Sequence, residues 1–169
     1  DVEILPTHGG SLRVYGCHEK STLAAQPQVE ALLKGEAAAG LRDLATYTAF
    51  QARADKVKND LLSFLIAQKA AGKRVVAYGA AAKGNTLLNY AGVKPDLLPA
   101  VFDAAPSKQG KYLPGTHIPI LPPARMAEYA PDFVLILPWN IAAEVVAQQK
   151  DAVSATAKFV VAVPKMEIL

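Results

Sequence analysis

The residues best suited to chemistry are concentrated at Tyr78-Gly79-Ala80-Ala81-Ala82-Lys83-Gly84-Asn85. Gly79 and Gly84 have the spacing of the outer glycines in the dinucleotide-binding turn G-x-G-x-x-G, with Ala81 in the middle glycine's place. In such a turn the first glycine permits a tight bend and the last permits close helix–strand packing. The helix that follows offers free N–H groups and partial positive charge to a phosphate. The methyl group of Ala81 limits how closely a pyrophosphate approaches, and the Lys83 ammonium compensates in charge. Packing alone is a second reason for glycine at a strand-turn-helix junction, and both readings stand at this point.

Other segments are expected to converge on this turn. Asp103 ends the next strand, about twenty residues on, where a carboxylate commonly accepts a ribose hydroxyl. Pro138-Trp139-Asn140 follows the fourth strand of the same region. Trp139 is either a flat surface for a base or sugar or a core residue, and Asn140 both donates and accepts. Lys108 and Lys111, in the loop from Ala104 to His117, either close over phosphates or are simply solvated. His8, between Pro6-Thr7 and Gly9-Gly10, is either an acid/base group or a turn histidine. His117 is expected to be structural. Cys17, the one cysteine, excludes an intramolecular disulfide and is expected to be a buried thiol. Three scattered histidines and one cysteine match no metal-ligand spacing, and neither a nucleophile elbow nor a P-loop occurs.

The hydrophobic pattern supplies the elements that hold these groups. Val2–Leu5 and Ser11–Cys17 alternate about a Gly-Gly turn and predict an antiparallel hairpin. A helix is expected over Gln28–Ala39. A long one should follow from Leu41 to about Ala71, with Phe50, Ala54, Val57, Leu61, Phe64, Leu65 and Gln68 on one face and Gly72 as its cap. From there strands alternate with helices. Strands are expected at Arg74–Tyr78, Ala100–Asp103, Ile118–Leu121, Phe133–Leu137 and Lys158–Val163; helices at Gly84–Ala91, Pro123–Tyr129 and Ile141–Gln149. This order predicts an α/β fold with a Rossmann-like, doubly wound and mostly parallel sheet of about five strands, preceded by a β-hairpin and a long helix. In that topology the first and fourth strands lie side by side, and their carboxyl ends open onto one crevice.

Composition narrows the class. A 51% hydrophobic and 20% charged chain of 169 residues suits one ordinary globular domain. The net charge of +3, without basic runs, gives little support to nucleic-acid binding but suits a phosphorylated small molecule. No apolar stretch is long enough to span a membrane, and the acidic opening Asp1-Val2-Glu3 is unlike a leader, so a cytoplasmic location is expected.

Four blocks taken together resemble a known family: Leu5-Pro6-Thr7-His8-Gly9-Gly10-Ser11-Leu12-Arg13-Val14-Tyr15, the stretch from Tyr78 to Tyr90, the stretch from Lys108 to Ile120, and Leu135-Ile136-Leu137-Pro138-Trp139-Asn140. In order and content they are similar to the carboxyl-terminal region of S-adenosylmethionine-dependent sugar C-methyltransferases. That family acts on nucleotide-linked 4-keto deoxysugars: a base removes the proton at carbon 3, and the enolate attacks the methyl group of S-adenosylmethionine. The resemblance implies a longer enzyme whose zinc-binding lobe, methyl-donor site and Tyr-x-Glu-His motif precede this region. Residues 1–20 would then be the terminal hairpin of a methyltransferase domain, 21–73 a helical linker, and 74–169 a nucleotide-sugar-binding domain. His8, Gly79, Ala80, Ala81, Lys83, Gly84, Asn85, Asp103, Lys108, Trp139 and Asn140 are the expected substrate-side contacts. The region would pack on the rest of its enzyme and be inactive alone. Two other readings are an independent dinucleotide-binding module and an assembly platform with an empty crevice.

Overall fold

The computed structural model describes residues 1–169, the surroundings of Gly9 excepted. The chain forms two compact units, Asp1–Arg53 and Ala54–Leu169, each with its own construction.

In the first unit, β1 (Val2–Leu5) pairs antiparallel with β2 (Ser11–Val14), Val2 opposite Val14 and Leu5 opposite Ser11. The expected turn between them bends through positive φ at His8 (56°) and Gly10 (120°). Residues 15–26 form neither helix nor strand, and Cys17 within them is exposed, not buried as expected, because no element covers that stretch. α1 (Pro27–Ala38) starts on a proline, which the first helical turn tolerates. It ends where Gly40, at φ 73°, lets the N–H groups of Gly40 and Leu41 turn back to Ala37 O and Glu36 O.

The single long helix expected from Leu41 is divided. Asp43 is extended (φ −100°, ψ 125°), so α2 (Leu44–Thr48) begins only after it, and Ala49 follows its last residue. The helix then restarts as α3 (Phe50–Ala70). The break falls beside Thr46-Tyr47-Thr48, residues of modest helix propensity.

In the second unit the predicted face of α3 is found. Leu61 and Leu65 are fully buried, and Ala54, Val57, Phe64 and Gln68 are half-buried around them. Phe50 departs from that face and is exposed. Gly72 caps α3 at φ 70°, as expected.

The sheet has strand order β5-β4-β3-β6-β7-β8. Its strands are β3 (Val75–Tyr78), β4 (Val101–Phe102), β5 (Ile120–Leu121), β6 (Phe133–Ile136), β7 (Lys158–Val161) and β8 (Glu167–Ile168). All pairings are parallel except β7 with β8. The sixth strand corrects the expectation that residues 158–163 close the sheet. β7 stops at Val161, and the chain returns as a short antiparallel edge.

β3 and β6 are buried along their whole length, as a sheet covered on both faces requires. Val75 and Ala77 pack with Leu61 and Leu65 of α3 and with Leu88 of α4 (Ala82–Tyr90). Val76 and Tyr78 pack on the other face with Met126, from a 3-10 helix at Pro123–Tyr129, and with Val145 of α5 (Ala142–Gln149). Burying each of the larger side chains contributes roughly 1.5–3 kcal/mol before conformational entropy is subtracted.

Candidate functional site

The first and fourth strands of the sheet, β3 and β6, do end together. Tyr78 is level with Ile136, and Leu137 N–H donates to Tyr78 O at 3.0 Å. Both chains therefore leave the sheet at one edge, where β4 also ends.

The two glycines of the turn are fixed by packing. Gly79 has φ 89°, and a methyl group there would lie 2.5 Å from Pro138 Cδ. A methyl group on Gly84 would lie 2.5 Å from Leu137 Cβ. The helix opens at Ala82, two residues earlier than expected, so Gly84 sits inside its first turn and presses α4 against the end of β6. Ala81 takes the N-cap position in an extended conformation and gives no side-chain cap, so the first N–H groups of α4 keep their dipolar field.

Lys83, in that first turn, reaches across the strand ends. Its ammonium donates to Asn140 Oδ1 and lies 5.1 Å from the centre of the Trp139 ring. Trp139 is half-buried and packs against the cluster containing Val76, Tyr78 and Val145. Part of this side chain thus packs on the core and part stays exposed beside the strand ends.

Asp103 continues from β4 and is 7% exposed. Its Oδ2 accepts from Ala80 N–H at 2.7 Å and from Lys108 Nζ at 3.0 Å, and its Oδ1 accepts from Ala105 N–H at 2.8 Å. Gln109 Nε2 donates to the Asp103 carbonyl at 2.9 Å. Lys111 Nζ donates to Ser107 O at 2.7 Å, so both lysines of this loop bond within it.

The remaining expected residues divide between the units. Asn85 lies one turn along α4, half-buried. His8 is exposed and belongs to the first unit, whereas the ends of β3, β4 and β6 belong to the second. His117, at φ 59°, stacks on Tyr112 with ring centres 4.3 Å apart, the structural role expected of it.

Three residues without a role of their own in the sequence reading, Tyr78, Asn89 and Lys94, take defined partners. Tyr78 ends β3 nearly buried, its hydroxyl accepting from Gln149 Nε2 at 3.1 Å. Burial, and secondarily the negative charge of Asp103, raise its pKa above the ordinary tyrosine value. A tyrosine at a strand's end was a visible signal; its glutamine partner, far off in sequence, was not. Asn89 of α4 donates to Pro114 O at 2.9 Å, and Lys94 donates to Gly115 O at 2.8 Å. Together they fasten the turn of the 104–117 loop to α4 and the segment after it.

Among the described residues no group of three His, Cys, Asp or Glu is placed to hold a metal ion. Among the described residues no helix is long and apolar enough to cross a membrane.

A family model described as the C-methyltransferase C-terminal domain matches residues 6–164. The C-methyltransferase NovU of Streptomyces niveus is 32% identical over 169 residues. That alignment takes in 100% of this chain but only 40% of NovU.

Proposed function

The chain belongs to the C-methyltransferase C-terminal domain family, and from that premise we propose that it is the final lobe of a longer, S-adenosylmethionine-dependent enzyme that methylates a nucleotide-linked 4-keto deoxysugar in the cytoplasm. Its task is to hold the sugar nucleotide while the reacting carbon is presented to groups elsewhere in that enzyme.

The observation that carries this reading is the pairing of Lys83 with a neutral partner, Asn140, beside the half-buried ring of Trp139. Lys108 faces a carboxylate, so its charge is cancelled; Lys83 retains its charge at the mouth of the crevice. A diphosphate meets that ammonium together with the uncapped start of α4. Trp139 offers a flat face to a base or sugar, with the polar Asn140 amide beside it.

The residues present do not fit the two other groups associated with the family. The Asp103 carboxylate is engaged by the protein's own N–H groups and Lys108 and so is not offered to the ribose of S-adenosylmethionine. No acidic, histidine or cysteine cluster suits zinc among the described residues. No step of methyl transfer is therefore derived through either group on this chain, and the lobe alone is expected to be inactive. Ile4, Val14 and Leu23, at 77%, 70% and 74% exposure, give the first unit apolar surface suited to packing on the rest of the enzyme.

Trp139 is the single tryptophan, which makes the test direct. Titrating the chain with a thymidine-diphosphate deoxysugar should shift its emission saturably, and the nicotinamide dinucleotide should not. The reverse result would make the chain a dinucleotide-binding module, and no response to either would leave the crevice without this role.

A further inference from the structure

Asp103 occupies the position from which a carboxylate ordinarily reaches ribose hydroxyls in dinucleotide-binding sheets. Here its oxygens point inward. Oδ2 takes the N–H of Ala80, in the glycine turn, and the ammonium of Lys108; Oδ1 takes the N–H of Ala105, in the loop after β4. A carboxylate has about four acceptor sites, and three are filled on a side chain that is almost wholly buried.

We propose that Asp103 is a positioning residue of the crevice and not a ligand: it ties the Gly79 turn to the loop after β4 and neutralises Lys108, so that Lys83 rather than Lys108 meets a ligand's phosphates. This inference rests on the sugar-nucleotide reading above and deepens it. Its consequence for specificity is that the crevice does not read the ribose 2′-hydroxyl through this carboxylate.

The backbone supports the assignment independently of any ligand. Gly79 N–H donates to Phe102 O at 2.7 Å, so β4 already holds the start of the turn, and Asp103 adds the next N–H along, that of Ala80. Gln109 closes the same loop onto the Asp103 carbonyl. One residue thus gathers the turn, the loop and a lysine.

The test compares uridine diphosphate with 2′-deoxyuridine diphosphate, both followed by Trp139 emission on the whole chain. The two should bind the wild type within about twofold of each other, since a lost hydroxyl contact would be expected to cost roughly fivefold or more. Lys108→Met strands a carboxylate near the phosphates and should weaken both nucleotides about tenfold. Adding Asp103→Asn to that variant removes the stranded charge and should restore part of the lost affinity, the remaining deficit reflecting the Ala80 and Ala105 amides that the carboxylate no longer holds. A strong preference for the ribonucleotide that Asp103→Asn abolishes would overturn the proposal. So would a double variant as weak as Lys108→Met alone, because Lys108 would then be touching phosphate itself.

Amide hydrogen exchange separates this inference from the reading beneath it. Asp103→Asn should speed exchange at Ala80 and Ala105, while Lys108→Met should leave their acceptors in place. If neither nucleotide moves Trp139, the sugar-nucleotide reading fails; the positioning role fails if exchange at those two amides is unchanged.

Discussion

Lys83 and Asn140 are joined across the carboxyl ends of β3 and β6, the ammonium donating to Asn140 Oδ1 above the ring of Trp139. The contact spans 57 residues of sequence and exists because two parallel strands stop at the same level. If Lys83 is the phosphate-facing charge, Lys83→Met should weaken a thymidine-diphosphate sugar by roughly tenfold to a hundredfold, the range of a hydrogen bond to a charged group. Asn140→Ala should weaken it less. Fluorescence titration measures both, and an unchanged affinity in Lys83→Met removes that lysine from the site.

Gly84 and Leu137 leave no room for a side chain between α4 and β6. Gly84→Ala should therefore lower stability by roughly 1–3 kcal/mol, despite the better helix propensity of alanine. Gly35, in α1, has nothing within 4 Å of its would-be methyl group. Gly35→Ala should raise the stability of that helix by roughly 0.5–1 kcal/mol. Urea unfolding of the two variants should move the midpoint in opposite directions.

Tyr78 gives the second unit a pH dependence of known sign. Its pKa in the folded chain is raised, first by burial and then by Asp103, so the unfolded chain loses this proton at lower pH. The associated stability is fully present below the ordinary tyrosine pKa. It declines as pH rises above that value, until the folded form also ionises. Tyr78→Phe should flatten this alkaline decline while losing the bond from Gln149. Chemical unfolding from neutral to alkaline pH would show it, and an identical slope in the variant would refute it.

Adjacent positions of α3 should differ sharply. Leu65 is 1% exposed and Ile66 is 55% exposed. Leu65→Ala should cost about 2–5 kcal/mol and Ile66→Ala less than about 0.5 kcal/mol, as read by thermal unfolding.

Much of this architecture was legible because the decisive strands are short apolar runs bounded by glycine or proline. Val75–Tyr78 stops at Gly79 and Phe133–Ile136 stops just before Pro138, and both strands lie where the pattern places them. β8 was invisible, since two residues carry no periodicity and its pairing with β7 is a tertiary fact. The division of the expected helix was missed because the apolar spacing continues through it, while the extended backbone of Asp43 delays the start to Leu44 and a second interruption falls at Ala49. At the crevice, the meeting of Lys83 with Trp139 and Asn140 followed from strand order alone. The inward turn of Asp103 did not. Its bonds to Ala105 and Lys108 are local, but the one that binds it to the turn comes from Ala80, 23 residues away.

The bare backbone at Gly84 has a mechanical consequence. With no side chain on Gly84, the head of α4 rests directly on the Leu137 side chain, and Leu137 leads straight into Pro138 and Trp139. A substituent at Gly84 would therefore press on the segment that carries Trp139 as well as on the head of α4.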